Sequence, residues 1–152
     1  MNKEIEIRIV VEVTRTEKRE LHFHHDHVAG REIKERAGVG LESKLFAIKG
    51  DKFHHVPNDD RVLIKNGEIF VVIPHGAIHY MVNDEPQWTC EKELTPVMII
   101  RQAGVDPAQN YLVEIKEHGR ESFKDTPEKP IHMHNGMKFI THFTGTKPVS
   151  NF

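Results

Sequence analysis

The sequence predicts an α+β protein built from two tandem domains, each with a mixed β-sheet packed over one short helix. Three observations predict it: short words that occur twice, strands of alternating hydrophobicity, and two short amphipathic helices. The repeated words are Ala-Gly-Val, at 37–39 and 103–105, and Asn-Gly-x-x-Phe, at 66–70 and 135–139. Their offsets of 66 and 69 residues (103−37 and 135−66) are too long for a solenoid repeat but suit a small domain.

The repeat indicates a tandem duplication with a boundary near Gly76. We predict a first domain at 1–76, a second at 77–145 and a C-terminal extension at 146–152. A third word, Phe-x-x-x-Pro, occurs at 53–57 and 123–127 with an offset of 70 residues (123−53). We expect this word to occupy equivalent places in the two halves.

Composition and charge exclude several classes of partner. Lysine and arginine total 21 against 23 acidic residues, so no strongly basic face is expected and neither nucleic acid nor a membrane surface is an expected partner. The N-terminus has no apolar run of the kind found in signal peptides or membrane spans, and we expect a cytoplasmic protein. The single cysteine, Cys90, cannot form an internal disulfide and is expected to be a small, buried strand residue.

Alternating hydrophobicity predicts an N-terminal β-hairpin. Apolar residues occupy every second position of its first strand: Ile5, Ile7, Ile9, Val11 and Val13. Residues 14–19 are polar and predict the turn, after which Leu21 and Phe23 continue the alternation. The same alternation directs His22 and His24 to the solvated face.

A short helix follows in each half. The first is predicted over Gly30–Ala37 and is ended by Gly38. The second is predicted to begin with Thr95 as its N-cap and Pro96 at its first position, and Gly104 follows its last turn. Helices of two to three turns are marginal alone, so both are expected to pack against a sheet.

Each half is predicted to finish with strands. Apolar runs at 45–48 and 111–115 predict central strands, and a closing strand pair is predicted in each half, at 62–64 with 69–73 and at 131–133 with 137–140. The Asn-Gly pairs between these segments favour tight hairpins. Phe70 and Phe139 follow the same turn at the same distance, so we expect them at equivalent buried sites.

Twelve histidines suggest a metal site, and one known family offers a pattern for it. His25-x-His27 followed by Glu32, together with the motif at 74–83 that contains His79, resembles the two motifs of the cupin family, whose barrel holds a metal on three histidines and a glutamate. However, Glu32 falls in the predicted helix rather than on a strand, and the second motif straddles the predicted domain boundary. We therefore predict no structural metal and no cofactor, and expect residues 22–27 to be polar surface that gathers Zn²⁺ or Ni²⁺ only adventitiously.

Motifs of common enzymes are missing from the sequence. No glycine-rich phosphate loop follows a strand, and there is no HExxH pair and no serine or cysteine nucleophile in a recognisable elbow. We do not expect this chain to be an enzyme.

The order strand, strand, helix, strand, closed by an Asn-Gly turn, resembles the ubiquitin-like β-grasp fold. Residues 30–39 (Gly-Arg-Glu-Ile-Lys-x-x-Ala-Gly-Val) and 67–74 (Gly-x-x-Phe-x-Val-x-Pro) are similar to the bacterial multiubiquitin family. In the second half, residues 99–106 (Ile-x-x-x-Ala-Gly-Val-Asp), 111–113 and 135–140 resemble ubiquitin-like partners encoded beside bacterial E1-like and E2-like proteins. The resemblance covers nearly the whole chain and implies two tandem ubiquitin-like β-grasp domains.

This resemblance implies a protein modifier. The C-terminal carboxylate of such a modifier is adenylated by an E1-like adenylating enzyme, passed to cysteine thiolates with the help of an E2-like conjugating enzyme, and joined to an amine on a target protein. A deubiquitinase-like protease completes the implied set of partners. In bacteria, operons that encode such a modifier beside its E1-like and E2-like enzymes are associated with antiphage defence.

Gly145 is the expected conjugation and processing site. Family modifiers typically end in Gly-Gly on a free tail, whereas this chain has a single Gly145 followed by residues 146–152. Either a protease removes this extension, or the protein is not conjugated through Gly145. For the first case we expect the last strand to end near Ile140, which leaves residues 141–145 as a flexible tail. The alternative function is a non-covalent tandem adaptor that binds partners through exposed sheet faces.

Overall fold

Two five-stranded mixed sheets and two short helices form the framework of this α+β protein. The computed structural model describes residues 5–145. It divides the chain into two units, Met1–Ala77 and Ile78–Phe152. Each unit contains one of the large sheets, one helix and a two-stranded sheet.

The first unit places its last strand at the centre of its sheet. Its elements are β1 (Ile7–Glu12), β2 (Lys18–Phe23), β3 (His27–Ala29), α1 (Gly30–Ala37), β4 (Lys44–Lys49), β5 (Lys52–His55), β6 (Arg61–Leu63) and β7 (Glu68–Ile73). The large sheet has the order β2-β1-β7-β4-β5, in which β1 and β7 are parallel and the other neighbours antiparallel. Strands β3 and β6 form the small sheet.

The second unit repeats this topology. Its elements are β8 (Ile78–Val82), β9 (Glu85–Thr89), β10 (Glu93–Leu94), α2 (Pro96–Gln102), β11 (Asn110–Lys116), β12 (Gly119–Ser122), β13 (Ile131–His132) and β14 (Met137–Phe143). The order β9-β8-β14-β11-β12 matches that of the first unit strand for strand, and β8 is again parallel to the last strand. The duplication in the sequence is therefore a duplication of topology.

The predicted N-terminal hairpin is confirmed. β1 and β2 pair antiparallel, with Ile9 opposite Leu21. Ile9, Val11 and Phe23 are fully buried on the face that packs against α1, whereas His22 is exposed, as the alternation predicts. Burial of alternate side chains fixes the register, because a slip of one residue would turn the apolar set toward solvent.

Both predicted helices are present, with the predicted caps. Gly38 ends α1 in a left-handed conformation with φ of 75°, which glycine adopts without a steric penalty. The Thr95 hydroxyl accepts a hydrogen bond of 3.2 Å from the Met98 amide, and Pro96 occupies the first position of α2. Neither of these helices is long and apolar enough to cross a membrane.

The predicted Asn-Gly hairpins are wrong. β6 pairs with β3, while β7 lies between β1 and β4. The Asn66 side chain instead accepts a hydrogen bond of 2.8 Å from the Arg8 amide, and the Gly67 amide donates one of 2.7 Å to the Arg8 carbonyl. Asn135 and Gly136 make the same two bonds to His79, at 3.0 and 2.9 Å. In each unit, the Asn-Gly pair therefore hydrogen-bonds the start of the last strand to the first strand.

The third repeated word is also out of register. The Phe123 amide donates a 2.8 Å hydrogen bond to the Leu112 carbonyl, and the corresponding bond in the first unit runs from Val56 to Leu45, also at 2.8 Å. The structural counterpart of Phe123 is thus Val56. Phe53 lies three residues earlier, in β5. The coincidence of Phe-x-x-x-Pro does not reflect equivalent positions.

The last strand is longer than expected. Its pairing with β11 continues past Ile140 to Phe143, which faces Asn110, and the Thr144 amide donates a 2.8 Å bond to the Gln109 carbonyl. The expectation of a strand end near Ile140 is therefore wrong. β11 begins early enough to give these residues partners, so residues 141–144 belong to the sheet and its margin.

Cys90 is exposed rather than buried. β9 ends one residue earlier, at Thr89, whose hydroxyl accepts a 3.0 Å hydrogen bond from the Glu91 amide. This bond turns the chain out of the sheet. Cys90 therefore lies in a bend and not in a strand.

Candidate functional site

Gly145 lies on the surface directly after the last strand. It is exposed, in a bend two residues beyond the end of β14. The strand before it is held on one side by the ladder to β11 and by stacking of the His142 ring on Tyr111, with centroids 5.4 Å apart. The extension 146–152 lies outside the described residues. Gly145 is thus accessible, but it directly follows Thr144, whose amide is still hydrogen-bonded to Gln109 at the margin of the sheet.

The first unit has a glycine at the matching place. Phe70 and Phe139 pair with Ala47 and Glu114 at equivalent points of the two ladders, and Gly76 and Gly145 each follow six residues later. Gly76 has a φ of 84°, in a turn where the Ala77 amide donates a 3.0 Å bond to the Pro74 carbonyl. The glycine after the last strand is therefore a feature of both units.

The clustered histidines contact acidic residues on the surface, and His22 lies near two of them, Glu6 and Glu20. His22 Nδ1 lies 2.8 Å from a Glu6 carboxylate oxygen, and His27 Nδ1 lies 2.9 Å from the side chain of the neighbouring Asp26. The hydrogen bond from His22 lowers the pKa of Glu6. These side chains are exposed, so each pair is screened by water and contributes little to stability.

The cupin motif is not assembled as that family requires. Glu32 lies in α1, where its carboxylate is 3.8 Å from His25 Nε2 and 3.2 Å from Arg36. His79 lies on β8, in the other unit. Within residues 5–145, no group of three or more histidine, cysteine, aspartate or glutamate side chains is arranged to hold a metal ion.

A cleft in the second unit contains a buried glutamate, Glu114. The cleft has a volume of about 700 Å³ and opens beside the β11–β12 hairpin. Its apolar lining includes Phe123, Ile131 and Met137, and its polar lining includes Glu114 and His134. Glu114 is only 9% exposed and belongs to the inner side of β11.

Glu114 has no ion-pair or hydrogen-bond partner for its carboxylate among residues 5–145. The nearby lysines bind another acid: Lys116 Nζ is 2.6 Å from Glu121 Oε1, and Lys129 Nζ is 4.0 Å from Glu121 Oε2. Burial raises the pKa of Glu114, while the positive charge of Lys116 opposes the shift. A buried carboxylate without a paired cation is costly, so this group marks a site where a cation or proton is favoured.

The first unit resolves the same place differently. A smaller cleft of about 240 Å³ lies there, with Ala47 in the position of Glu114. Its acid is Glu68, whose side chain is 10% exposed and lies 3.8 Å from Lys49 Nζ. Glu68 also accepts a 3.2 Å hydrogen bond from the Lys65 amide. In the first unit, the acid in the cleft, Glu68, is thus paired with the ammonium group of Lys49.

Replacing Glu114 with glutamine should stabilise the protein more at neutral pH than at acid pH. Burial raises the folded-state pKa of Glu114, with Lys116 and His134 opposing and Glu121 adding to the shift. The folded state therefore binds the proton of Glu114 more tightly than the unfolded state does. The stability that this binding contributes is lost as pH rises through the folded-state pKa. Glutamine does not titrate, so the variant does not lose stability in this way.

The measurement is urea unfolding of both proteins between pH 4 and pH 8. The stability of Glu114→Gln relative to the parent chain should increase with pH above about 4.3, the ordinary glutamate value. Glu128→Gln, at an exposed position, is the matched control and should show no such trend. A difference that is constant or decreases with pH would contradict the assigned burial of the charge.

Glu114 is not among the candidate site residues predicted from the sequence. It is the one charged residue of the run 111–115, and the other residues of this run are mostly apolar and predict a central strand. A carboxylate at an inward position of such a strand is itself a signal, because glutamate is rarely buried without a partner.

Comparison with protein-family models and with curated proteins found no match for this sequence.

Proposed function

We propose that this chain is a ubiquitin-like protein modifier made of two tandem β-grasp domains and conjugated through Gly145 to target proteins. The proposal is supported by the arrangement of each unit, which has a mixed sheet, a helix packed on one face and the last strand parallel to the first. The observation that carries the proposal is the end of the second unit, where a central strand delivers an exposed glycine to the surface. The proposed domain boundary lies near Gly76.

The chemistry resides at the terminus rather than in a catalytic site. Cleavage of the peptide bond after Gly145 by a deubiquitinase-like protease removes residues 146–152 and frees the glycine carboxylate. An E1-like adenylating enzyme activates this carboxylate with ATP as an acyl adenylate and releases pyrophosphate. A cysteine thiolate displaces AMP to form a thioester, and with an E2-like conjugating enzyme the acyl group passes to an amine of the target, which displaces the thiolate. Glycine suits the step because it has no Cβ to obstruct approach of the backbone to an enzyme. The chain itself needs no cofactor and acts as a substrate, not an enzyme.

The proposed setting is the bacterial cytoplasm, in antiphage defence. The near balance of 21 basic and 23 acidic residues supports protein partners rather than nucleic acid or membrane. The asymmetry between the two clefts gives the two domains different surfaces, which a tandem modifier can offer to different enzymes.

Two truncated chains that differ by one residue test the conjugation site. A chain that ends at Gly145 should form conjugates with the E1-like and E2-like enzymes without a protease, whereas a chain that ends at Thr144 should form none. The full-length chain should require the protease as well. Equal activity of the two truncated chains would exclude Gly145 as the conjugation site.

A second candidate function, the non-covalent tandem adaptor, is favoured by the extent of the last strand. The Thr144 amide is hydrogen-bonded to the Gln109 carbonyl, so Gly145 follows the bonded residue directly. Activation of a terminal carboxylate needs an extended tail, and the modifier role therefore requires residues 141–144 to leave the edge of the ladder. An adaptor has no such requirement. Stable complexes with the full-length chain, without any change in its covalent mass, would support the adaptor.

A further inference from the structure

The clefts of the two units can be compared with each other. The acid of the first cleft, Glu68, is paired with a lysine, whereas Glu114 in the second cleft is not. Lys49 and Lys116 occupy equivalent places on β4 and β11, because Ile48 and Ile115 pair at matching points of the two ladders. Lys49 Nζ lies 3.8 Å from the partly buried Glu68 carboxylate. Lys116 binds the more exposed Glu121 instead, and Glu114 keeps no ammonium.

The charges that line the cleft of the second unit leave room for one more cation. Its acids are Glu114, Glu117 and Glu121, its lysines are Lys116 and Lys129, and two histidines, His132 and His134, also line it. Both lysines lie within 4.0 Å of Glu121. An ammonium placed at Glu114 would form an ion pair with a carboxylate of a largely buried residue, as Lys49 does at 3.8 Å from Glu68.

The walls of the cleft suit an alkyl chain. Phe123, Ile131 and Met137 are almost fully buried and line the same space as Glu114. A lysine side chain combines four methylene groups with a terminal ammonium, so it can cover apolar surface with its stem while its head meets the acid. A small inorganic cation would leave these walls without contacts.

We propose that the cleft of the second unit binds a lysine side chain of a partner protein, with the ammonium at Glu114 and the stem along Phe123 and Ile131. This binding is non-covalent and does not depend on conjugation through Gly145. The cleft of the first unit does not bind such a lysine, because Lys49 already forms an ion pair with Glu68 there.

The test is an NMR titration of the full-length chain with Nα-acetyl-lysine N-methylamide as the probe. Saturable shifts are expected at the amides of Glu114, Phe123, Ile131 and Met137. The norleucine analogue, which has the stem without the ammonium, should bind at least roughly tenfold more weakly, and so should the lysine probe to Glu114→Gln. Equal binding of the two probes, or equal binding by the variant, would overturn the assignment.

A free diamine distinguishes the source of the ammonium. A lysine in a protein presents peptide groups beside its stem, so the blocked lysine should bind more tightly than 1,5-diaminopentane. Tighter binding of the diamine would overturn the assignment to a protein side chain.

The first unit provides a gain-of-binding control. Lys49→Met removes the ammonium from Glu68 and keeps an apolar side chain of similar length. In the folded variant, the lysine probe should then cause a second set of saturable shifts, at Ala47, Val62 and Phe70, which line the smaller cleft. If no second site appears in a folded Lys49→Met chain, the comparison on which the proposal rests is wrong.

Discussion

Truncation of Phe139 to alanine should lower the free energy of unfolding by about 3 to 5 kcal/mol, and truncation of Phe70 should have a similar effect. Phe139 is 1% exposed and packs edge-on against Tyr80, with ring centroids 6.0 Å apart. Phe70 is fully buried in the core of the first unit. Each ring lies on the central strand of its sheet, where neighbours on both sides limit the collapse that could fill the cavity.

Urea unfolding of the two variants measures these losses. Phe143→Ala is the matched control, because Phe143 lies on the same strand as Phe139 but is 48% exposed. Its truncation should cost less than about 1 kcal/mol. Losses below about 1 kcal/mol for both Phe70 and Phe139 would contradict the register of the last strands.

Gly30→Ala should cost roughly 3 kcal/mol, at the upper end of the range for overpacked sites. A Cβ at Gly30 would lie 2.4 Å from the Pro57 carbonyl oxygen and 3.0 Å from that of Val56. Both obstacles are backbone atoms. The Gly30 amide also donates a 3.1 Å bond to the Asp60 carbonyl, which holds the start of α1 against this loop. The helix cannot move away from the loop without loss of that bond.

Gly40→Ala is the matched control for this substitution. A Cβ at Gly40 would meet only the exposed, flexible Glu42 carboxylate, which can rotate away. Its effect should lie within about 0.5 kcal/mol, or stabilise slightly through the unfolded chain. Thermal unfolding of both variants makes the comparison. Equal stability of the two variants would show that the loop at Pro57 moves freely and that the contact does not fix α1.

Local signals in the sequence were sufficient for the elements of this fold. Gly30–Ala37 was predicted to be a helix ended by Gly38, and the structure has that helix and that left-handed glycine. Thr95 and Pro96 begin α2 as predicted. These features depend on neighbours within one turn, where side-chain and backbone preferences decide the outcome.

Partner choice among strands depended on contacts distant in sequence, and there prediction failed. Asn66 and Gly67 are a strong signal for a tight hairpin, but their bonds go to Arg8, 58 residues away from Asn66. The last strand was expected to end near Ile140, yet β11 offers partners as far as Asn110. Neither result could be read from local propensity, because a ladder is set by the strand that lies beside it.

The ion pairs in the candidate cleft also could not be predicted from local sequence. The cost of a charge at Glu114 depends on which cations lie within reach, and the sequence alone does not show that Lys116 binds Glu121. The internal repeat supplies a reference, because the first unit pairs the acid of its own cleft, Glu68, with Lys49.

The most direct test of the proposed modifier function is peptide mass spectrometry of conjugates formed by the full-length chain with its cognate E1-like, E2-like and protease partners. The account predicts an isopeptide-linked or ester-linked peptide that ends at Gly145 and lacks residues 146–152. Conjugates that retain Phe152, or a chain whose mass is unchanged after full reconstitution, would contradict it and leave the tandem adaptor as the better account.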